Sequence, residues 1–516
     1  MLDCVVIGAG PAGTVCTKEL VENGLNDVVC VDRADSLGGV FNDTYDSLIL
    51  TTSVYYSVFS DFWSGDVRNE NPDNGGRHFW RKGEAVKYWT DYAKHNGIID
   101  KFKFNSGVES VTETDDGWVV HLENGETLEC RRIAVATGAN RQPSYPDWVD
   151  ELTDVDYSHV GTYQNNNGFE DKNVLMVGGG ESGSDVAYEV SKVAKKSWVS
   201  LRSAAGWIVP RVRGGMASDV STHRGIWGLP RSYGEWLSNQ LRRFDRQTQH
   251  PRNLAAEQIN RRVASKNGIW GTYGTKSYAL PTAVADHGCT VVGEITKVEE
   301  GGQRLMTADG DVLDGVESII FSTGYRSPSD SFLPEKYHSV DPRSMFKHSL
   351  HPDFGDKIAW IGRARPNFGG QFPLMEMQSR FFAMIASNKT SLPTRAAMEA
   401  SITEDHDANI EQFEDYAVRM RSLVDYYRYM DGFADVIGCK PPITKYLFTK
   451  PKLWHHLVYG PTQATQFRLV GPGAKPKLAE DIIYQLPVSS LNPVVKAGIR
   501  GRAHQLLQRP KKLLAK

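Results

Sequence analysis

Residues 3–33 read DCVVIGAGPAGTVCTKELVENGLNDVVCVDR, and this stretch decides the fold. Residues 4–7 form a short apolar run, as a buried parallel strand requires. Gly8-Ala9-Gly10-Pro11-Ala12-Gly13 then supplies G-x-G-x-x-G at the turn. Residues 14–23 have helical composition and stop at Gly24, and a second apolar run, 28–31, ends in Asp32 and Arg33. Strand, glycine turn, helix, strand and an acid about 20 residues past the second glycine make a complete dinucleotide-binding unit. Gly8 permits the tight turn, Gly10 lets a pyrophosphate approach the backbone, and Gly13 lets the helix pack on the strand. The helix N-terminus directs free N–H groups at the phosphates. Asp32 can accept a hydrogen bond from a ribose hydroxyl. A tight βα turn that binds nothing explains the glycines but leaves that acid unexplained.

The theme recurs. Residues 173–177 read as a strand, Gly178-Gly179-Gly180-Glu181-Ser182-Gly183 is a second G-x-G-x-x-G, residues 184–194 (opening Ser184-Asp185) a helix, and 197–201 the next strand. Two such units suggest two dinucleotides, or an internal duplication of one fold. The second unit ends in Arg202 rather than an acid. A carboxylate would repel a 2′-phosphate, whereas a guanidinium binds it through two parallel hydrogen bonds. The first loop is therefore assigned to FAD and the second to NADPH. A solvated strand-end charge is the plainer alternative for Arg202, and Arg211 and Arg213 can play the same part.

Between the units, the Gly38-Gly39 pair marks another close backbone approach. LILTTSVYYSVFSDF, residues 48–62, fits either a continuous strand or a cofactor-lining loop. Residues 65–76 read as surface loop and 83–96 as helix. The period then changes to two: 108–112, 118–122 and 127–131 read as an antiparallel meander. Residues 133–136 return to an apolar strand that runs into Thr137-Gly138, and 141–171 are loop-rich. After the second unit come helical stretches at 232–243 and 253–265. A second meander follows at 290–298, 303–307 and 312–313. Residues 318–321 run into Thr323-Gly324, 357–361 form a short strand, and 373–385 and 395–430 are largely helical. The expected fold is α/β: two dinucleotide-binding Rossmann-like domains, for FAD and NADP, each with an antiparallel β-meander, plus a helical C-terminal region. Residues 1–150 are expected to be the first part of the FAD-binding domain, 151–330 the NADP-binding domain with a helical insertion, 331–487 the return to the FAD domain with the helical region, and 488–516 a basic tail.

The 516 residues suffice for two or three cores, and 40% apolar with 23% charged residues is ordinary for a soluble globular chain. A net charge of −3 gives no reason to expect nucleic acid. Cys4, Cys16, Cys30, Cys130, Cys289 and Cys439 contain no C-x-x-C pair. They are expected as free, buried thiols of a reducing compartment, and no metal is expected. The first strand begins almost at Met1 and no run approaches 18 apolar residues, so neither signal peptide nor transmembrane helix is expected. The expected location is cytoplasmic, not secreted. Lys496, Arg500, Arg502, Arg509, Lys511, Lys512 and Lys516 stand in the tail with no acid among them. That tail either lies on an anionic membrane face or frays in solvent.

GAGPAG, DRADSLGGVF, LTTSVYYSVFSDF, GGGESGSD, SLRSAAGWIVPR, FSTGYRS, QFPLMEMQSRF and GPTQATQFRLVGPG together resemble the flavin-containing monooxygenase family, class B flavoprotein monooxygenases. The resemblance implies FAD contacts at Gly8 to Gly13, Asp32, Val40, Phe41, Thr51 and Thr52, with Arg33 and Gly39 beside them. It implies NADP contacts at Ser182, Gly183, Ser184 and Asp185, with Arg202 near the 2′-phosphate. Gly178, Gly180, Thr323 and Gly324 complete the candidate cofactor set. The family's F-x-G-x-x-x-H-x-x-x-Y/F is half present: His159 and Tyr163 are kept, while Thr153 and Val155 stand where Phe and Gly are expected. His159 is otherwise a surface loop histidine. Thr51 replaces the usual Asn of the active-site loop and is the candidate catalytic group; a hydroxyl does less than an amide there, which bears on how NADPH use couples to product. Gln371 and Gln378 either face the flavin or nicotinamide or are ordinary helix-face amides.

The implied activity passes one atom of O2, through a C4a-hydroperoxyflavin, to a soft nitrogen or sulfur of a small molecule, as in N,N-dimethylaniline oxygenation. A Baeyer–Villiger-type ketone monooxygenase and an NADPH oxidase or reductase flavoprotein are the enzymatic alternatives, and a redox sensor that merely holds FAD is the non-enzymatic one. A disulfide reductase lacks its cysteine pair. Beyond a nucleophilic substrate and O2, a homodimer and a peripheral membrane contact are left open as partners.

Overall fold

The computed structural model describes residues 1–63, 79–203, 206–213, 216–228, 250–263 and 265–489. The loop expected at 65–76, the helix at 232–243, the Arg213 side chain and the basic residues from Lys496 onward lie outside the described residues.

β1 (Leu2–Ile7) ends in four buried apolar residues, as a strand covered on both faces must. Pro11 opens α1 (Pro11–Glu22) at a position where its fixed φ suits a helix. β2 (Val28–Val31) pairs with β1 in parallel, Ile7 opposite Val31. Then follow α2 (Lys82–His95), β3 (Phe102–Lys103), β4 (Val108–Thr114), β5 (Gly117–Leu122) and β6 (Thr127–Val135). The path through the first sheet is β3-β2-β1-β6-β5-β4. The last meander strand and the following apolar strand, expected as two, are one element. The first half of β6 pairs antiparallel with β5, Trp118 opposite Cys130, while β1 runs parallel along its other edge, with Ile7 opposite Val135. The expected break at Arg132 marks a change from one-sided to two-sided burial, with no break in the backbone.

The second sheet is wholly parallel. Its elements, in chain order, are β7 (Asp156–His159), β8 (Asn173–Val177), α3 (Glu181–Ser191), β9 (Lys196–Ser200), α4 (Pro251–Asn260), α5 (Ala279–His287) and β10 (Thr290–Val292). β11 (Ile295–Glu299), β12 (Arg304–Thr307) and β13 (Val312–Asp314) form a separate antiparallel sheet, and β14 (Ser318–Phe321) returns to the parallel one. The strand order there is β10-β9-β8-β14-β7. Residues 290–298, expected as one meander strand, are two: Thr290–Val292 pairs in parallel with β9, and Ile295–Glu299 leaves to pair with β12. β7 corrects the loop expected there. Its polar residues carry no apolar run, and pairing with β14 at the sheet edge makes it a strand. α5 was also unforeseen; Pro281 sits in its first turn, where proline is tolerated.

β15 (Ile358–Trp360) brings the chain back to the first sheet, beside β6, with Ile358 opposite Ile133. α6 (Gln371–Ala386), almost wholly buried, packs on α1. α7 (Arg395–Phe413) and α8 (Tyr426–Ile437) lead the helical C-terminal region. Residues 48–62 form a turn-rich loop, with Ile49 bridged to Arg81 and residues 53–61 buried. The C-terminal block is stitched to α1 by buried charge. Arg468, 1% exposed, meets Glu19, Glu376 (2.9 Å) and the Ser60 Oγ (2.7 Å). Burial opposes that charge, but Glu19 and Glu376 outweigh it and raise the guanidinium's pKa. All six cysteines are buried and unpaired. Among the described residues, no helix is long and apolar enough to cross a membrane.

Candidate cofactor and active site

The first glycine turn is wedged against the end of β6. Gly8 has φ +111°, and a Cβ there would lie 2.5 Å from the Ala136 carbonyl oxygen. A Cβ on Gly13 would fall on the Gly8 carbonyl oxygen, so α1 approaches the turn as closely as backbone allows. Asp32, 7% exposed, accepts hydrogen bonds from the amides of Ala9 (2.6 Å) and Ala34 (2.9 Å). It holds the turn itself, and its remaining lone pairs can take a ribose hydroxyl. Beside it lies a cavity of about 190 Å³, lined by Gly8, Asp32, Arg33, Ser106, Gly138 and Arg326 among others. Gly10 caps α1 without any side-chain cap, leaving the first amides, Ala12 among them, to a phosphate. Gly39 closes on Gly10: a Cβ there would lie 3.1 Å from the Gly10 Cα. Val40 is exposed, and Phe41 packs on Trp89 with ring centres 4.9 Å apart.

The second turn repeats the first. Gly178 has φ +100°, with its Cβ position 2.5 Å from the Ser322 carbonyl oxygen, and that of Gly183 is 2.5 Å from the Gly178 carbonyl oxygen. A Cβ on Gly180 would enter open space, and no side chain caps α3. The hydroxyls of Ser184 and Ser322 are buried with no partner among the described residues. An uncapped helix, open space and orphaned hydroxyls fit a dinucleotide phosphate. Ser182 sits half-buried in the same turn. Arg202, at the end of β9, is 64% exposed, its guanidinium 4.0 Å from Glu294.

Asp185 is engaged inside the protein. It accepts from the Tyr45 hydroxyl (3.1 Å), the Ser277 hydroxyl (2.9 Å) and the Arg211 guanidinium (3.3 Å). Arg211 also donates to the Ile49 carbonyl (3.2 Å), so it bridges the two units. Thr323 donates to the Ser144 carbonyl, and the Gly324 carbonyl pairs with His159 Nε2 at 3.0 Å. His159, for which a surface loop was the alternative to the family fingerprint, is buried at the end of β7, and its Nδ1 accepts from the Gly161 amide (3.0 Å). Burial lowers its pKa.

Thr51 and Thr52 are half-buried, and Thr52 pairs with the Ser57 hydroxyl (2.9 Å). The next residue, Ser53, donates its amide and its hydroxyl to Asp219, each at 2.7 Å. Gln371 opens α6 and donates to the Gly362 carbonyl (3.4 Å). Gln378 props that helix from inside: it accepts from the Gly362 amide (2.8 Å) and donates to the Tyr429 hydroxyl (3.0 Å). Sequence reasoning missed Asp219 and Lys276, whose partners lie 166 and 93 residues away. It also missed Ser106 and Arg326; the repeated strand-then-Thr-Gly at 137 and 323 was the signal that pointed to this cavity's wall.

A family model for flavin-binding monooxygenase-like proteins matches residues 3–497. The chain belongs to the flavin-binding monooxygenase-like family. It is accordingly a flavin-dependent oxidoreductase. Among similar proteins is the 4-hydroxybenzoate brominase (decarboxylating) of Marinomonas mediterranea, 31% identical, with 95% of this chain and 93% of that one covered. Human flavin-containing monooxygenase 2 is 29% identical, with 91% and 88% covered. Among solved structures, S-allyl-L-cysteine S-oxygenase from Allium sativum aligns with TM-score 0.59 and 17% identity over 96% of this chain and 98% of that one. NADP+-bound cyclohexanone monooxygenase from Rhodococcus sp. Phi1 aligns with TM-score 0.61 and 16% identity over 85% and 97%. These monooxygenases share the two-Rossmann α/β fold.

Proposed function

We propose that the chain is an NADPH- and FAD-dependent monooxygenase that gives one oxygen atom of O2 to a soft nucleophile, a nitrogen or sulfur of a small molecule, and reduces the other to water. The observation that carries this is the contrast between two otherwise matching cradles, one closed by buried Asp32 and the other by exposed Arg202. Bound FAD supplies the redox chemistry, taking electrons from NADPH and activating O2. Residues 1–150 and 331–487 would hold it: the α1 amides on the pyrophosphate, Asp32 on the ribose, Thr51 and Thr52 near the ring. Residues 151–330 would hold NADPH, with Arg202 on the 2′-phosphate. The loop at 48–62, tied to Arg211 at Ile49 and to Asp219 at Ser53, would keep water from the ring. Burial pushes the thiols of Cys16 and Cys130 up to about 12, which suits packing and not thiol redox chemistry.

A second reading follows from the brominase relative. Bromide is also a soft nucleophile, and oxygen transfer to it yields hypobromite, which brominates a phenolic acid. The test is product and peroxide accounting with NADPH and O2 against N,N-dimethylaniline, a thioether, a cyclic ketone, and 4-hydroxybenzoate with bromide. Product matching NADPH consumed is expected in the amine or thioether arm, and in the bromide arm under the second reading. Product from the ketone alone assigns Baeyer–Villiger chemistry, and peroxide alone in every arm refutes a monooxygenase acting on these classes.

A further inference from the structure

We propose that Asp219 is a positioning residue: from the second unit it fixes the Thr51–Thr52–Ser53 turn against the flavin, while Lys276 fixes Gly369 on the facing loop. This rests on the placement of the flavin ring at Thr51 and Thr52 made above. Asp219 is 2% exposed, and its two carboxylate oxygens accept from one residue, the Ser53 amide and hydroxyl. Burying a carboxylate is costly unless donors converge on it, and a two-point grip leaves the turn little freedom. Asp219 is itself held on both sides. The Ser218 amide donates to the Arg211 carbonyl (2.8 Å), and the Thr222 carbonyl receives the hydroxyls of Tyr56 and Tyr427. Arg211, Asp219 and Thr222 thus hold the 48–62 loop at Ile49, Ser53 and Tyr56 in succession.

Lys276 completes the grip from the other side. It is 4% exposed and donates Nζ to the Gly369 carbonyl (2.9 Å), two residues before α6 begins. Burial pushes its ammonium below the ordinary lysine value, while the Asp219 and Glu181 carboxylates oppose that shift. The Gly274 amide donates to the Asn367 carbonyl (2.9 Å) alongside. The two gripped loops also touch, since a Cβ on Gly370 would strike the Tyr56 carbonyl. Displacing either loop shifts the other and opens the ring to water, and NADPH is then consumed with peroxide as product.

The experiment uses the full chain as wild type, Asp219→Ala, Asp219→Asn and Ser53→Ala. One readout is hydrogen exchange of residues 49–56 in the FAD-free protein; the other is peroxide formed by the FAD-loaded protein from NADPH and O2 alone. Asp219→Ala should speed exchange at Ser53 by roughly 10- to 100-fold and raise peroxide formation by about 10-fold or more. Asp219→Asn, which can accept from the amide and donate to the hydroxyl, should restore most of both. Ser53→Ala, which loses one of the two bonds and keeps the buried carboxylate, should fall between and serves if Asp219→Ala does not fold. Unchanged exchange overturns the grip. An Asn variant as impaired as the Ala variant overturns positioning in favour of charge. Faster exchange with unchanged peroxide leaves the grip standing and rejects the positioning role through its premise, that the flavin ring lies at Thr51 and Thr52.

Discussion

Replacing Arg202 with Ala separates the two cradles by their chemistry. The side chain is 64% exposed and its nearest carboxylate, on Glu294, is 4.0 Å away. A surface pair of that kind contributes about 0–1 kcal/mol, so the fold should hardly notice. The dinucleotide should notice. A guanidinium–phosphate hydrogen bond is charge-assisted and is worth about 1.5–3 kcal/mol net, and solvent at this exposed site places it toward the lower end. At 1.4 kcal/mol per factor of ten, NADPH should bind roughly 10- to 30-fold more weakly. NADH carries no 2′-phosphate and should change by less than about 2-fold. The assay is anaerobic reduction of the bound flavin, followed by its absorbance, across concentrations of each nucleotide at two ionic strengths. Wild type should lose part of its preference for NADPH as salt rises, and the variant should have little left to lose. Arg202→Lys should recover part of the preference, because it keeps the charge and loses the planar fork. Equal weakening of NADPH and NADH, or no change in either, refutes the assignment of the second cradle.

Three further outcomes are expected. Gly13→Ala drives a methyl onto the Gly8 carbonyl oxygen and should lower FAD affinity more than about 10-fold and the melting temperature with it, whereas Gly180→Ala, which enters open space, should leave the fold intact and weaken NADPH alone; flavin titration and thermal unfolding check both. Arg468→Met leaves buried Glu376 without a cation and Glu19 with Lys18 alone, and should cost about 3–5 kcal/mol in denaturant unfolding. Burial, helped by Arg343, holds His348 down at about 4, below the 6.5 of an unfolded histidine, so the folded state keeps it neutral. Its contribution is therefore whole above pH 6.5 and is lost as pH falls toward 4, up to about 3 kcal/mol, and His348→Gln should flatten unfolding free energies measured across that window.

The first unit was legible almost residue by residue, because its signals are local. A glycine turn, a helix stop at Gly24 and an acid after β2 all act within one supersecondary unit. The second unit was legible at its turn for the same reason and less so beyond it. Thr290–Val292 and Ile295–Glu299 share one alternating pattern, and only their partners, β9 and β12, separate them. β7 is a strand because β14 pairs with it, a fact that DYSH cannot announce. Side chains posed the same problem. Gln378 and Asp185 stand where an exposed amide and a cofactor-facing acid fit the pattern, yet both are committed to partners on other elements. Asp219 left no trace at all, since a lone acid after a short apolar stretch reads as surface until Ser53 arrives against it.

The way the chain crosses between units explains why such contacts matter. It leaves the first sheet after β6 and re-enters it at β15, with the second sheet formed in between. The two crossing segments run against each other. The Ser144 amide donates to the Gly324 carbonyl (3.0 Å), the Arg326 amide donates to the Gln142 carbonyl (2.8 Å), and Pro143 bridges Tyr325. Arg141, Gln142 and Arg326 also line the cavity beside Asp32. The stalk that carries the second unit is thus one wall of the site that would take the adenosine end of FAD. The grips of Asp219 on Ser53, Lys276 on Gly369 and Arg211 on Ile49 join the units elsewhere, on the loops that would face the ring. A turn of the second unit relative to the first would strain these three contacts. A bound nucleotide that moved the second unit would therefore act on the hydrogen bonds to the loops around the proposed ring site. Under the proposed assignment, these contacts would give the NADPH cradle a physical link to the loops around the flavin ring.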